Sequence, residues 1–234
     1  MIAGLQKMTL LDFPGKVACT VFLDGCNYRC PFCHNAELLE GKMEPLMTDA
    51  EFFAFLSKRK GLLDGVCVSG GEPTLYKELP AFLRKIKALG FLVKLDTNGS
   101  RPAVLKALVA AGLVDYVAMD IKNSPTGYPE TVGLKKPDIA AVEESIRFLL
   151  EGSLNFEFRT TLVKQLHTEE TMEEMGRWLA SLVPGKKPEK LFLQSFVDRD
   201  TVTFSGLEAP SEEQLQRFVE ILTPYVGQVT VRGT

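Results

Sequence analysis

Short apolar runs with β propensity alternate with segments of helical periodicity along most of the chain. Six such strand and helix units follow one another at intervals of roughly 25 to 45 residues. Strict alternation predicts a parallel sheet with helices outside it. A closed barrel of eight units typically needs about 250 residues, and the chain has 234 residues. We therefore predict an α/β fold with an incomplete (β/α)6 barrel, with a doubly wound open sheet as the alternative.

The domain organisation follows from the same pattern, and we assign residues 1–234 to one domain. An N-terminal segment, residues 1–16, precedes the six units of residues 17–226, and residues 227–234 form a tail or a short strand. The stretch 123–136 holds two glycines and two prolines. It is longer than most strand-to-helix loops, which predicts a mobile, functional loop.

Composition excludes several classes of function. The apolar fraction of 45% and the charged fraction of 24% are ordinary for a soluble globular protein. A net charge of −3 argues against a broad nucleic-acid surface. The start of the chain lacks the apolar core of a signal peptide, and no window is long and apolar enough to span a membrane. We predict a cytoplasmic protein with neither nucleic-acid nor membrane partners.

Three cysteines lie within eight residues, directly after the first predicted strand. Cys26, Cys30 and Cys33 have the spacing C-x3-C-x2-C. Thiolates are soft ligands that select zinc, copper(I) or iron–sulfur clusters. Four-iron clusters ordinarily take four cysteine ligands, so three from one loop would leave one iron open. Cys19 and Cys67 lie inside apolar strand-like runs, and we predict that they are buried.

Other interpretations of the cysteine loop compete with a cluster. Cys30, Cys33 and His34 fit the C-x-x-C-H pattern of covalent haem attachment, which normally requires export. A zinc site of three cysteines and a histidine is a second possibility, but the side chains of adjacent residues rarely reach one tetrahedral metal. A disulfide with a spare thiol is a third, and it needs an oxidising compartment.

Polar residues also follow the next three predicted strands. They are Gly70, Gly71 and Glu72, then the stretch Asp96–Gly99, then Asp120 and Lys122. In α/β folds, functional groups collect at the carboxyl ends of the strands. Residues two apart on a strand share a face, so Asp120 and Lys122 must pair or meet a ligand. Adjacent glycines allow a close backbone approach. These groups predict a polar, zwitterionic ligand next to the metal.

Together these motifs resemble the radical S-adenosylmethionine (SAM) superfamily, and more narrowly its glycyl-radical-enzyme activating enzymes. The cysteine motif has the aromatic Phe32 before its last cysteine. The stretches Ser69–Pro73, Asp96–Gly99 and Met119–Lys122 match the remaining motifs in order. The opening Gly4–Gly15 is similar to the longer type of activating protein for anaerobic ribonucleoside-triphosphate reductase.

The resemblance implies cofactors and the residues that bind them. A 4Fe-4S cluster would be held by Cys26, Cys30 and Cys33, with the amino and carboxylate groups of SAM on the fourth iron. Other implied contacts to SAM are the backbone around Phe32 and His34 for adenine, Gly70, Gly71 and Glu72 for the amino group, and Asp120, Lys122 and Arg159 for ribose and carboxylate. A monovalent cation is implied near Asp96, Thr97 and Asp120.

The implied function is oxidoreductase chemistry under anaerobic conditions. Reductive cleavage of SAM would give a 5′-deoxyadenosyl radical, which would form a glycyl radical on a partner, anaerobic ribonucleotide reductase. Flavodoxin or ferredoxin would supply the electron. The alternatives are a radical SAM enzyme acting on a small molecule, and a non-enzymatic iron–sulfur or zinc protein. Some relatives place a ligand-binding histidine after the sixth strand, where this chain has Gln194, Ser195 and Phe196, so that contact is not predicted.

Overall fold

A computed structural model describes residues 2–232. Its strands form one sheet in chain order, β1 to β8. They are β1 (Ile2–Thr9), β2 (Ala18–Leu23), β3 (Gly65–Gly70), β4 (Leu92–Thr97), β5 (Tyr116–Asp120), β6 (Asn155–Leu162), β7 (Lys190–Ser195) and β8 (Gln228–Arg232). The helices are α1 (Asp49–Ser57), α2 (Leu79–Ala88), α3 (Pro102–Ala110), α4 (Tyr128–Thr131), α5 (Ile139–Glu151), α6 (Glu169–Ser181) and α7 (Glu212–Leu222). No helix in this described part is long and apolar enough to cross a membrane.

The chain divides into two compact units that are interleaved in sequence. The first contains residues up to 27 together with 37–97 and 103–118. The second contains 28–36 and 98–102, and continues from residue 119.

In the first unit, β2 pairs in parallel with β3, and β3 pairs in parallel with β4. Most residues of these strands are buried and none is fully exposed, as expected for strands covered on both faces. Thr48 and Glu51 form the capping box at the start of α1, which satisfies two backbone amides that would otherwise lack partners. Helix α1 buries Phe52, whose ring stacks on Phe82 of α2 at 5.4 Å.

In the second unit, β6 pairs in parallel with β7, and β7 pairs in parallel with β8. Ser211 and Gln214 form the capping box of α7, which buries Leu215, Phe218 and Leu222 on one face. This spacing of apolar residues is typical of a helix that packs on a core.

The six predicted strand and helix units are present, as is the predicted closing strand at 228–232. Residues 233–234 of the predicted tail lie outside the described residues. The N-terminal segment differs from the prediction, because β1 pairs antiparallel with β2.

The loop 123–136 contains tertiary contacts that the sequence did not predict. It contains the short helix α4, and the side chain of Tyr128 is fully buried. The amide of Asn123 donates to the Thr131 hydroxyl at 2.9 Å and to the Leu166 carbonyl at 2.8 Å. Glycine and proline content does not reveal such tertiary bonds, and the predicted mobility of the loop stays a prediction.

Candidate functional site

The start of the cysteine loop packs against the loop that follows β3. The amide of Gly71 donates to the Leu23 carbonyl at 2.9 Å, and the amide of Glu72 donates to the Gly25 carbonyl at 2.8 Å. A Cβ at Gly70, where φ is +121°, would lie 2.2 Å from the Leu23 oxygen. A Cβ at Gly71 would lie 2.1 Å from the Gly25 oxygen. An added Cβ would clash with the backbone at either position, so backbone packing alone requires both glycines.

The rest of the cysteine loop is held by the segment that follows α4. The amide of Arg29 donates to the Val132 carbonyl at 2.8 Å. The backbone of Gly133, where φ is +66°, lies close to that of Arg29. A Cβ added at Gly133 would lie 2.2 Å from the Arg29 carbonyl oxygen. Within the loop, the amide of Cys33 donates to the Cys30 carbonyl at 3.1 Å and closes a tight turn. Part of the loop 123–136 thus serves to shape the cysteine loop.

Phe32 and His34 are anchored by residues that follow other strands. Phe32 packs in an apolar cluster with Val163 and Phe196. The ring of His34 stacks on Phe196, with centroids 5.7 Å apart, and its Nε2 lies 2.7 Å from the Val197 carbonyl oxygen. Phe196 occupies the region after β7 for which the sequence predicted no contact, and it supports the cysteine loop there.

The five cysteines divide into two groups by burial. Cys19 and Cys67 are fully buried, as predicted, and burial raises the pKa of each thiol to about 12. Cys26, Cys30 and Cys33 are partly exposed. Burial also raises the pKa of the Cys33 thiol, and the nearby charge of Lys122 opposes that rise.

The residues of the loop bear on which metal centre it could hold. Thiolates are the ligands of iron–sulfur clusters, and the loop has three thiols. His34, which the zinc interpretation requires as fourth ligand, is directed to Phe196 and Val197.

The exits of β3 and β4 bring Glu72 and Thr97 together. Glu72 is only 1% exposed. Its Oε1 accepts from the Thr97 hydroxyl at 2.8 Å, from the Thr74 amide at 3.1 Å and from the Thr74 hydroxyl. Buried carboxylates need such donors, because they lose the hydration of water. Three neutral donors therefore fix the position of this carboxylate.

Asp96, also at the exit of β4, forms an ion pair that the sequence did not predict. Its Oδ1 accepts from the ammonium of Lys94, two residues earlier on the same strand. The Lys94 side chain is 1% exposed and that of Asp96 is 14% exposed.

Three charged groups meet where β5 ends, because Asp120 and Lys122 lie beside Arg159 of β6. The carboxylate of Asp120 accepts from Lys122 Nζ at 2.9 Å and from Arg159 Nε at 3.0 Å. Burial alone would raise the pKa of the Asp120 carboxyl, but the two cations outweigh it and lower that pKa to about 2. Burial would lower the pKa of Lys122, and Asp120 more than reverses this, so its pKa is raised. The group carries a net positive charge.

Two buried residues that were not predicted hold the backbone of Lys122. His167 Nε2 lies 3.0 Å from the Lys122 carbonyl, and His167 Nδ1 accepts from the Val163 amide at 3.0 Å. The Tyr128 hydroxyl accepts from the Lys122 amide at 3.3 Å. Burial lowers the pKa of His167, so the ring is neutral and donates from Nε2 to the carbonyl. A lone histidine after a strand gave no sequence signal for this role.

Comparison with known proteins agrees with this arrangement. The profile of the Radical SAM superfamily matches residues 20–179. A Methanocaldococcus jannaschii protein named "Putative glycyl-radical enzyme activating enzyme" is 31% identical over 99% of this chain and 95% of its own length. The 7-carboxy-7-deazaguanine synthase of Thermococcus kodakarensis is 30% identical over 70% of this chain and 69% of its own. The chain therefore belongs to the radical SAM superfamily.

Within that superfamily, the homologues include several activating enzymes. One is the pyruvate formate-lyase 2-activating enzyme of Escherichia coli, which is 26% identical over 78% of this chain and 73% of its own length. These homologues indicate an enzyme, and the superfamily implies a 4Fe-4S cluster and SAM.

Solved structures confirm the fold class. Streptococcus suis SuiB, in complex with its precursor peptide SuiA, matches 92% of the chain with a TM-score of 0.70 and 15% identity. The chain spans only 48% of SuiB, and at this identity the likeness shows the fold alone. The predicted α/β fold of the radical SAM type, with parallel strands, is therefore correct.

Proposed function

We propose that this protein is a glycyl-radical-enzyme activating enzyme that cleaves SAM reductively and forms a glycyl radical on anaerobic ribonucleoside-triphosphate reductase. The observation that carries the proposal is the similarity over nearly the whole of both chains to the Methanocaldococcus jannaschii protein named for this activity. The match to the deazaguanine synthase covers a smaller share of the chain. The N-terminal motif is what favours the reductase among possible partners.

In this proposal, Cys26, Cys30 and Cys33 would hold three irons of a cluster, and the bound cluster would supply the electron for cleavage of a carbon–sulfur bond of SAM. Iron binding requires thiolates, so it releases protons. The charge of Lys122 favours the thiolate of Cys33. The packing of Phe32 and the turn from Cys30 to Cys33 fix the loop before iron binds.

The remaining site residues would bind SAM through charge and hydrogen bonding. Lys122 and Arg159 carry the positive charge that a carboxylate requires, while Asp120 can accept from ribose hydroxyls. Glu72, held by its neutral donors, would accept from the methionyl ammonium beside the backbone of Gly70 and Gly71. The backbone around Phe32 and His34 would contact adenine.

The electron donor in this proposal is a flavodoxin or ferredoxin of the cytoplasm. Cluster potentials span about −700 to +450 mV, and reduction of a sulfonium requires the low end of that range. A low-potential carrier protein is therefore the chemical class of donor that the reaction needs.

The experiment combines the anaerobically reconstituted protein, a reductant, SAM and an anaerobic ribonucleotide reductase. We expect electron paramagnetic resonance to show the doublet of a glycyl radical. The doublet should disappear when the radical-bearing glycine of the reductase is replaced by alanine. Cys26→Ala, Cys30→Ala and Cys33→Ala should each lower iron and sulfide content and abolish the doublet, while Cys67→Ala, a matched control, should retain both.

The runner-up function is radical chemistry on a small molecule, which the similarity to the deazaguanine synthase favours. If a small molecule stimulates 5′-deoxyadenosine formation and no glycyl radical enzyme gives a doublet, this second function replaces the first. Retention of iron in Cys30→Ala would instead contradict the cluster assignment.

A further inference from the structure

Lys94 is a fully buried lysine in the middle of β4. Lysine is almost never fully buried unless it is paired, and here its ammonium donates to Asp96. Residues two apart on a strand share a face, so the strand itself holds the ammonium and the carboxylate together. The pair is therefore formed by two residues of β4.

On the β3 side of Lys94, the residues in register are uncharged. Thr20 of β2 is in register with Cys67 of β3, which is in register with Lys94. Burial keeps Cys67 a neutral thiol, with its pKa raised to about 12. The Thr20 hydroxyl donates to Asp12. Asp96 is therefore the carboxylate in hydrogen-bond contact with the Lys94 ammonium.

This pair affects the monovalent cation that the sequence predicted near Asp96, Thr97 and Asp120. Asp96 is already neutralised by Lys94, and the Thr97 hydroxyl donates to Glu72. A second cation beside the ammonium would be repelled by it, most strongly where water is excluded.

Asp120 is no better placed to hold a cation. One of its oxygens accepts from Lys122 and the other from Arg159. Each carboxylate thus already has a cationic partner within its own unit, Asp96 in the first and Asp120 in the second. Neither carboxylate needs an added monovalent ion to balance its charge.

We propose that the ammonium of Lys94 takes the place of the monovalent cation, so that this protein binds SAM without sodium or potassium. A compact ammonium carries the same single charge as these ions, and here it is attached to the strand. Lys94 is then a positioning residue that neutralises and orients Asp96. This inference rests on the proposed use of SAM.

The test measures SAM affinity of the reconstituted protein by equilibrium dialysis in potassium, sodium and choline chloride at one ionic strength. The wild type should bind equally in all three salts. Lys94→Met keeps the length of the side chain but removes its charge, and it should bind about tenfold more weakly in choline than in potassium, a typical coupling between two ligands. Lys94→Arg, which keeps the charge, and Lys94→Met/Asp96→Asn, which removes both charges, should not respond to the salt.

A wild type that binds about tenfold more weakly in choline than in potassium would overturn the inference. So would a Lys94→Met variant that binds equally in all three salts. The SAM affinity of the wild type in the three salts tests the inference even if Lys94→Met does not fold. If SAM binds in none of the salts, the proposed function fails. The role of Lys94 is then tested by the thermal midpoints of the cluster-free chains. Potassium should raise the midpoint of Lys94→Met but not that of the wild type.

Discussion

The carboxylates at the exits of β3 and β5 are held in opposite ways. Glu72 is 1% exposed, and neutral hydroxyl and amide donors fix its position. The Asp120 side chain is 28% exposed, and two cations fix its position. Interactions between neutral donors and a carboxylate vary little with salt, whereas partly exposed ion pairs are screened. The first exit should therefore depend on packing, and the second on charge and pH.

The largest expected effect is at the packed exit. Gly70→Ala places a Cβ 2.2 Å from the Leu23 oxygen at a positive φ, and it should lower the free energy of unfolding by about 3 kcal/mol or more. Gly61→Ala is the matched control, because φ is +79° there and nothing lies within 4 Å of the added Cβ. Gly61→Ala should lower the free energy of unfolding by only about 1 kcal/mol. If denaturant titrations show equal losses of unfolding free energy for Gly70→Ala and Gly61→Ala, close backbone contact does not stabilise the exit of β3.

The next effect is the pH dependence of the charged exit. The lowered pKa of Asp120, about 2 in the folded chain, stabilises the fold by about 2 kcal/mol above the unfolded pKa near 4. That contribution is lost as the pH falls from 4 toward 2. The difference in unfolding free energy between the wild type and Asp120→Asn should shrink by this amount when cluster-free chains are titrated with denaturant from pH 6 downward.

A control for the charged exit is the exposed pair of Lys42 and Glu40. Glu40→Gln should change stability by less than about 0.5 kcal/mol at every pH. The difference in unfolding free energy between the wild type and Asp120→Asn should also fall in 1 M salt. A difference that stays constant across pH and salt would mean that packing holds Asp120 too.

A smaller effect should follow from Thr97→Val, which removes one hydroxyl donor from Glu72. Hydrogen bonds to buried charged groups contribute about 1.5 kcal/mol or more, and we expect about that loss, unchanged by 1 M salt. Thr97→Ser retains the hydroxyl and should retain most of the stability in the same denaturant titration. A loss as large in Thr97→Ser as in Thr97→Val would indicate that the methyl group matters instead.

The smallest expected effect concerns His167, whose ring supports the backbone of Lys122. Its folded pKa is lowered by burial, so the unfolded chain takes up a proton first as the pH falls. The stability that neutral His167 contributes above its unfolded pKa is therefore lost below it. The wild type should lose more unfolding free energy than His167→Gln between pH 7.5 and 5.5. If the unfolding free energies of the wild type and His167→Gln fall equally with pH, His167 does not cause the loss of stability.

The regular part of this fold could be predicted because each strand and helix carries its own local signal. Capping boxes such as Thr48 with Glu51 were visible in sequence and are present. Strand β1 was missed because its central residues are exposed and polar, as in Gln6 and Lys7, and because its pairing is set by β2. Helix α4 was missed because Pro129 suggested a loop.

The pair of Asp120 with Lys122 could be predicted because residues two apart on a strand share a face, and the structure pairs them. The metal-binding role of the three cysteines stays a prediction. The candidate site could not be predicted where the role depends on a distant contact. Nothing local connects His167 to Lys122 or Phe196 to His34. Lys94 offered a weak signal, because a lysine inside an apolar run, two residues before an aspartate, can be buried only with a partner.

The unequal burial of the five thiols has a consequence for oxidative damage and repair. Cys19 and Cys67, with pKa values of about 12, are almost entirely protonated in the cell and closed to peroxide and alkylating agents, since the thiolate is the reactive form. If Cys26, Cys30 and Cys33 hold a cluster as proposed, oxidation that destroys the cluster should therefore be confined to their loop. Iodoacetamide should add three adducts to the folded, cluster-free chain and five to the unfolded one. Under that proposal, damage restricted to one partly exposed loop would be accessible to reductants, and iron would be restored without first refolding the chain.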